Sequence, residues 1–157
     1  MNKGRGKFLK IHIKVKKPVE VTLRSIHVGG AREVVTLALD GKDPAQKFLS
    51  NLAKKDPKAF ESLQTRIKAV AEHDRYENSQ TFRDVGDGIF EFKRNTPRLL
   101  RLYAFYDEIA GVGQLILCTN GGDKRSQDND ILEAKRRKME YLLAKKKTDT
   151  VFVHEIP

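Results

Sequence analysis

The sequences GDGIFEFK (residues 86–93) and LRLYAFY (residues 100–106) alternate between side chains that suit a protein core and side chains that are charged or polar. This two-residue period is typical of β-strands, in which successive side chains point to opposite faces of a sheet. An apolar run, LILC (residues 115–118), follows a turn that contains two glycines. The pattern predicts three consecutive strands that pair in an antiparallel sheet.

Two helices are predicted between residues 43 and 73, upstream of these strands. Asp43-Pro44 and Asp56-Pro57 each combine a capping carboxylate with a proline in the first turn, which is a common way for a helix to begin. Apolar residues recur after each pair at the spacing of a buried helical stripe. Because only a short turn separates the two segments, we expect the helices to form a hairpin.

The flanking segments complete an order of strand, helix, helix, three strands and helix. VVTLAL (residues 34–39) predicts the first strand, and residues 151–153 are a candidate terminal strand. A basic helix is predicted from about Asp130 to Lys147. We expect it to dock on the sheet through an apolar edge, which consists of Leu132, Met139, Leu142 and Leu143. The expected fold class is α+β: an antiparallel sheet with an N-terminal helical hairpin on one face and a C-terminal basic helix.

The first 33 residues differ from the rest in charge. Residues 1–17 carry seven Lys or Arg and no acid, and Ile11, Ile13 and Val15 alternate there with basic residues and His12. Val19, Val21 and Leu23 then alternate with Glu20, Thr22 and Arg24, which makes a second strand candidate. This part is expected to be either a hairpin added to the main sheet or a loosely attached arm. The chain is accordingly divided into a basic N-terminal extension (1–33), a main domain (34–147) and a C-terminal tail (148–157).

Composition narrows the class of partner. The 157 residues include 31 Lys or Arg and 21 Asp or Glu, which gives a net charge of +10. This charge favours nucleic acid, a ribosome or an acidic protein as partner. The single cysteine, Cys118, indicates a reducing compartment, and no apolar run is long enough for a membrane span. We expect a cytoplasmic protein without a metal or other cofactor, since the histidines are scattered and no Cys or His pairs have metal-ligand spacing.

A cationic face is expected on the sheet. Strand periodicity puts Lys93, Arg101 and Tyr103 on the face away from the helical hairpin, which we expect to be open. Arg98 lies in the connecting turn, and Lys124 and Arg125 follow the third strand. Arg binds phosphate oxygens bidentately, and Tyr stacks on bases. Clustered cations lower one another's pKa, so that a lysine gains the properties of a base. The same pattern is also expected of a solvated face whose cations serve only solubility.

At this point the residues resemble the RelE/ParE superfamily of bacterial type II toxin–antitoxin modules, and within it the HigB-like and phage-derived branch. The resemblance covers about residues 34–143. Four pieces carry it in the same order as in the family: GDGIFEFK (86–93), RLYAFYDE (101–108), KRSQ (124–127) and EAKRR (133–137) ahead of Tyr141-Leu142. The implied fold is RelE-like.

The resemblance implies a toxin that inhibits translation by cleaving mRNA on the ribosome, as an endoribonuclease that uses cations and an aromatic residue instead of a metal. Under this hypothesis Lys93 or Tyr103 assists the 2′-hydroxyl, Arg101 and Arg98 hold the phosphate, and Lys124 or Arg125 acts at the leaving side. The implied partners are the ribosome, mRNA and a cognate antitoxin with a helix-turn-helix domain.

Three departures from the family pattern keep two alternatives open. Glu91 stands where some members have a basic residue, residues 119–122 lack the usual Gly-Phe, and residues 127–130 lack the usual Thr-Pro. The alternatives are a ParE-like poison of DNA gyrase and a non-catalytic relative that binds nucleic acid or an antitoxin.

Overall fold

A computed structural model describes residues 18–74, 81–94 and 99–156. The described residues contain three helices, α1 (Pro44–Lys55), α2 (Pro57–Glu72) and α3 (Gln127–Lys146), and a 3₁₀ turn (Lys124–Ser126) precedes α3. The strands are β1 (Glu20–Val28), β2 (Glu33–Leu39), β3 (Phe82–Gly86), β4 (Ile89–Arg94), β5 (Leu100–Ile109), β6 (Gly113–Asp123) and β7 (Val151–Glu155).

All seven strands belong to one mixed sheet, in the order β3-β4-β5-β6-β2-β1-β7. Strands β3 to β6 form an antiparallel meander, in which β4, β5 and β6 are the three predicted strands and β3 is an additional strand that was not predicted. Two pairings are parallel: β2 with β6, and β1 with β7. The β1–β7 pair brings the first and the last described strands together at one edge of the sheet.

The predicted RelE-like fold is wrong. That fold has an antiparallel sheet and begins with a helical hairpin, whereas this sheet is larger and mixed, and two of its strands precede the helices. The N-terminal helical hairpin is therefore not seen. The reason lies in residues 20–28, where Val21 and Leu23 are buried on one face of the sheet, so that β1 extends the core.

The two helix starts are confirmed. The Asp43 carboxylate accepts a hydrogen bond from the backbone N–H of Gln46, and the Asp56 carboxylate accepts one from that of Ala59. A proline occupies the first turn of each helix, where its missing N–H has no intrahelical partner to lose. Asp56 alone separates α1 from α2.

The sheet has a hydrophobic core on each face. On the first face, α1 and α2 pack through residues such as Leu49, Leu63 and Ile67 against Phe92 and Leu102. On the second face, α3 packs through buried Ala134, Arg137, Tyr141 and Ala144 against a core that includes Leu37, Phe105 and Leu117. The assignment of strand residues to the two faces is thus confirmed for β4 and β5.

The predicted docking edge of α3 is wrong. Leu132, Met139 and Leu143 are exposed, and the buried side of the helix is formed by smaller or more polar residues. Polar contacts fix the helix on the sheet instead. Tyr141 Oη and Lys145 Nζ both donate to the Asp107 carboxylate of β5, and Lys138 Nζ donates to the Asp87 carbonyl in the β3–β4 turn.

Both predicted boundaries of the main domain, at residues 33 and 147, fall within the span of this sheet. Strand β1 comes from the predicted extension, and β7, the candidate terminal strand at residues 151–153, comes from the predicted tail. The functional division into three parts stays a prediction. The strand expected at residues 11–15 lies outside the described residues. No helix among the described residues is long and apolar enough to cross a membrane.

Gly29 is a sharp test of the contact between α2 and the sheet. A Cβ at this position would lie 2.3 Å from the Ala71 carbonyl oxygen, which also accepts hydrogen bonds from the N–H groups of Ala31 and Arg32. We expect Gly29→Ala to lower the free energy of unfolding by about 1–3 kcal/mol, because backbone must move to admit the methyl group. Gly30→Ala is the control, since its nearest contact would be an ordinary 3.5 Å. Urea denaturation of both variants measures the difference, and equal stabilities would contradict the packing.

Candidate functional site

Polar side chains cross strands β3 to β6 in one row on the α3 side of the sheet. Arg83, Glu91, Tyr103 and Asn120 are successive cross-strand neighbours in the strand register. The adjacent row places Lys93 opposite Arg101, and Arg101 opposite Gly122. Directly opposed residues of antiparallel strands have Cβ atoms about 5 Å apart, so the two rows form one polar cluster.

Glu91 lies at the centre of the cluster and is fully buried. Arg83 Nε donates a hydrogen bond of 2.7 Å to Glu91 Oε1, and Arg101 Nε lies 2.8 Å from Glu91 Oε2. The second contact is an ion pair without the alignment of a hydrogen bond. Arg101 is 5% exposed, whereas the Arg83 side chain is 41% exposed. One carboxylate therefore connects a buried guanidinium to an accessible one.

Tyr103 is also fully buried, and its hydroxyl has no hydrogen-bond partner among the described residues. Burial raises the pKa of Tyr103 well above its usual value, and the negative charge of Glu91 raises this pKa further. The hydroxyl is therefore protonated at neutral pH.

Lys93 is half-buried at the side of the cluster where Arg83 is exposed. Desolvation lowers the pKa of Lys93, and the positive charges of Arg83 and Arg101 lower it further, while Glu91 opposes the shift. A lysine with a lowered pKa has a larger neutral fraction at a given pH and is a better proton acceptor. Among the predicted site residues that the structure describes, Lys93 is the one whose pKa is lowered.

The first turn of α3 packs on the polar cluster at its β6 end, where Asn120 lies. Asn120 Nδ2 donates to the Asp130 carbonyl oxygen at 2.9 Å, and Ser126 Oγ donates to Asp130 Oδ2 at 2.5 Å. Gly122 leaves room for this contact, since a Cβ there would lie 2.0 Å from Asp130 Oδ2. Burial raises the pKa of the Asp130 carboxyl.

Lys124 and Arg125 lie in the 3₁₀ turn that follows β6 and are both exposed. Arg125 Nη2 donates to Asp123 Oδ2 at 2.9 Å, and this hydrogen bond lowers the pKa of the Asp123 carboxyl. Asp123 is paired with Leu100 in the register, so the turn lies at the end of the sheet where Lys93 and Arg101 lie. Lys124 and Arg125 extend the positive charge of this end into solvent.

The structure thus brings Lys93 and Arg101 together, with Tyr103 beside them, but the expected open face is wrong. Arg101 and Tyr103 are buried because α3 packs on that face. Arg98 lies outside the described residues. Sequence reasoning missed Arg83 and the structural roles of Glu91, Asn120 and Asp130. The alternation in residues 82–85 was the available signal for Arg83, since it places Arg83 and Val85 on one face.

Comparison of the chain with protein-family models, with curated protein sequences and with solved structures found no match. Within residues 18–74, 81–94 and 99–156, no group of three or more His, Cys, Asp or Glu side chains is arranged to hold a metal ion.

Replacing Arg101 tests the buried ion pair. Arg101→Met removes one of the two cations that compensate the buried Glu91 carboxylate. We expect a loss of about 3 kcal/mol in the free energy of unfolding, at the low end for a broken buried pair because Arg83 remains. Arg125→Met is the control, as its side chain is 90% exposed. If thermal or urea unfolding places the two variants at the same stability, the buried pair is not a major contributor.

The two buried tyrosines on this face offer a matched pair of variants. Tyr103→Phe removes a buried hydroxyl that has no described partner, so we expect unchanged or slightly higher stability. Tyr141→Phe removes a donor to the Asp107 carboxylate and should cost about 1–3 kcal/mol. Urea denaturation measures both. A larger loss for Tyr103→Phe than for Tyr141→Phe would show that the Tyr103 hydroxyl is hydrogen-bonded.

Proposed function

We propose that the protein is a cytoplasmic endoribonuclease that cleaves mRNA during translation, as the toxin of a type II toxin–antitoxin module. The observation that carries this proposal is the environment of Lys93, a partly buried lysine opposite Arg101 whose pKa is lowered by desolvation and by the charges of Arg83 and Arg101. The resemblance of residues 86–93, 101–108, 124–127 and 133–137 to the RelE/ParE superfamily supports the same proposal at the level of sequence.

RNA cleavage without a metal needs a base, cations at the phosphate and an acid at the leaving group. In the proposed step, neutral Lys93 accepts the proton of the 2′-hydroxyl, and the 2′-oxygen attacks phosphorus. Arg83 contacts the phosphate oxygens and Arg101 contributes its charge, which stabilises the negative charge that builds up there. The bond to the 5′-oxygen breaks, and Lys124 donates a proton to that oxygen.

The partners follow from this proposal. The ribosome and mRNA present phosphates, which suit a chain with a net charge of +10. A cognate antitoxin, with a helix-turn-helix domain in the implied module, would neutralise the toxin by binding it.

A non-catalytic relative that binds RNA is the second candidate, and a specific observation favours it. Arg101 is 5% exposed and paired with Glu91, and Tyr103 is fully buried, so two of the predicted catalytic groups are buried. Under this alternative, Arg83, Lys93 and the exposed Lys124 and Arg125 bind phosphates without cleavage.

Induced expression in bacteria, with primer extension on abundant transcripts, tests the proposal. We expect the parent to arrest growth and to produce new 5′ ends within translated regions. Lys93→Met should abolish both, because methionine has a similar length but cannot accept the proton. Lys68→Met is the matched control, since Lys68 is exposed on α2 on the other side of the sheet. It loses the same charge and should leave both effects unchanged.

The pH dependence of cleavage in a ribosome-containing translation reaction separates a base from a phosphate contact. The parent rate should rise with pH as Lys93 loses its proton, and the midpoint of this rise should lie below the ordinary lysine pKa of 10.5. Lys93→Arg keeps the charge but stays protonated, so its residual rate should lack this rise. Growth arrest with intact transcripts would move the target to gyrase, and RNA binding without cleavage would favour the non-catalytic candidate.

A further inference from the structure

We propose that Glu91 is a positioning residue, which orients Arg83 for contact with a phosphodiester of RNA and holds the charge of Arg101 beside it. The inference rests on the proposed function, because it deepens the description of the same site. Glu91 is acidic in a cluster that is expected to bind an anion. The negative charge of Glu91 repels an anion, so a carboxylate at this position needs a physical explanation.

The geometry supplies the reason. Each carboxylate oxygen of Glu91 contacts the Nε atom of a different arginine, at 2.7 Å for Arg83 and 2.8 Å for Arg101. A guanidinium carries several N–H donors in a fixed plane, so a contact at Nε fixes the direction of the Nη groups and leaves them unused. Arg101 Nη1 is buried and has no hydrogen-bond partner in the described part of the chain. Glu91 therefore contacts both guanidinium groups, and the Arg83 group, on a side chain that is 41% exposed, is the one that RNA can reach.

A phosphate binds beside Glu91 rather than in its place. The Glu91 side chain is fully buried, and its displacement from both arginines would leave a buried carboxylate without a cation, which is strongly unfavourable. The accessible groups of the cluster are Arg83 and Lys93, so the ligand approaches from the β3 side. Glu91 therefore stays in contact with the arginines when the phosphate binds, and its role is to orient Arg83.

This role and simple electrostatics predict opposite effects of removing the charge. If Glu91 acts only as a negative charge, Glu91→Gln raises the affinity for RNA. If it orients the arginines, Glu91→Gln lowers the affinity, because an amide has one acceptor oxygen and cannot hold two guanidinium groups. Glu91→Asp keeps the charge but shortens the side chain, so electrostatics predicts no change, whereas orientation predicts a loss.

The experiment is fluorescence anisotropy with a labelled single-stranded RNA oligonucleotide, repeated over a range of salt concentrations. We expect Glu91→Gln and Glu91→Asp to bind about tenfold more weakly than the parent, the loss of one charge-assisted hydrogen bond. The slope of log affinity against log salt should fall by about one, as one phosphate contact is lost. Glu61→Gln is the control, since exposed Glu61 on α2 gives the same charge change away from the site.

The salt slope distinguishes orientation from general destabilisation, because partial unfolding lowers the bound amplitude without changing the slope. Circular dichroism confirms that each variant is folded, and Glu91→Asp decides the matter if Glu91→Gln does not fold. Parent-like or tighter binding by the folded variants, with an unchanged slope, would overturn the role of Glu91. So would a parent that does not bind the oligonucleotide.

Failure of the proposed function gives a different result. If the parent binds RNA but does not cleave transcripts, the endonuclease proposal fails, and the effect of Glu91 on binding is still measured. If the parent cleaves transcripts and the Glu91 variants bind like the parent, the positioning role fails and the endonuclease proposal stands.

Discussion

A fully buried carboxylate between two guanidinium groups is the contact on which the polar face of this sheet depends. Glu91 accepts from Arg83 and is paired with Arg101, so the buried carboxylate is compensated, and the three groups on three neighbouring strands keep one net positive charge. Burial of a single unpaired charge at this depth would cost several kcal/mol, which is comparable to the whole stability of a small domain. The ion pair also explains why Arg101 can be buried under α3, because its positive charge is paired with Glu91.

Helix α3 determines which cations remain accessible. Its buried side consists of Ala134, Arg137, Tyr141 and Ala144, and its position is fixed by contacts to Asp107 and to the Asp87 carbonyl. Ala134 and Ala144 are small and allow the helix to approach the sheet closely, and Arg101 and Tyr103 on this face are buried. Lys93 and Arg83 lie nearer the β3 edge and remain accessible. Partial burial of Lys93 lowers the pKa of its amine, and the charges of Arg83 and Arg101 lower it further.

Local patterns predicted local structure, and the arrangement of distant segments was beyond them. The Asp-Pro pairs at residues 43 and 56 gave the helix starts, and the alternation in residues 86–106 gave the strands and their faces. The pairing of β1 with β7 joins segments at opposite ends of the described chain and leaves no local signal. The docking side of α3 was misjudged because leucines were expected to face the core, whereas Leu132 and Leu143 are exposed. Because the docking side of α3 was wrong, the sequence analysis identified Arg101 as a candidate cation but did not predict that it is buried.

The polar cluster is not what stability alone would favour at this place. Unpaired buried polar atoms cost about 1–3 kcal/mol each, and Tyr103 Oη and Arg101 Nη1 both lack a described partner. Well-packed apolar residues of similar volume are often as stable as a buried ion pair, or more stable. The same face carries such residues a short distance away, at Phe105 and Leu117. Packing of the fold alone therefore does not account for a cluster that retains unpaired buried donors next to an accessible lysine.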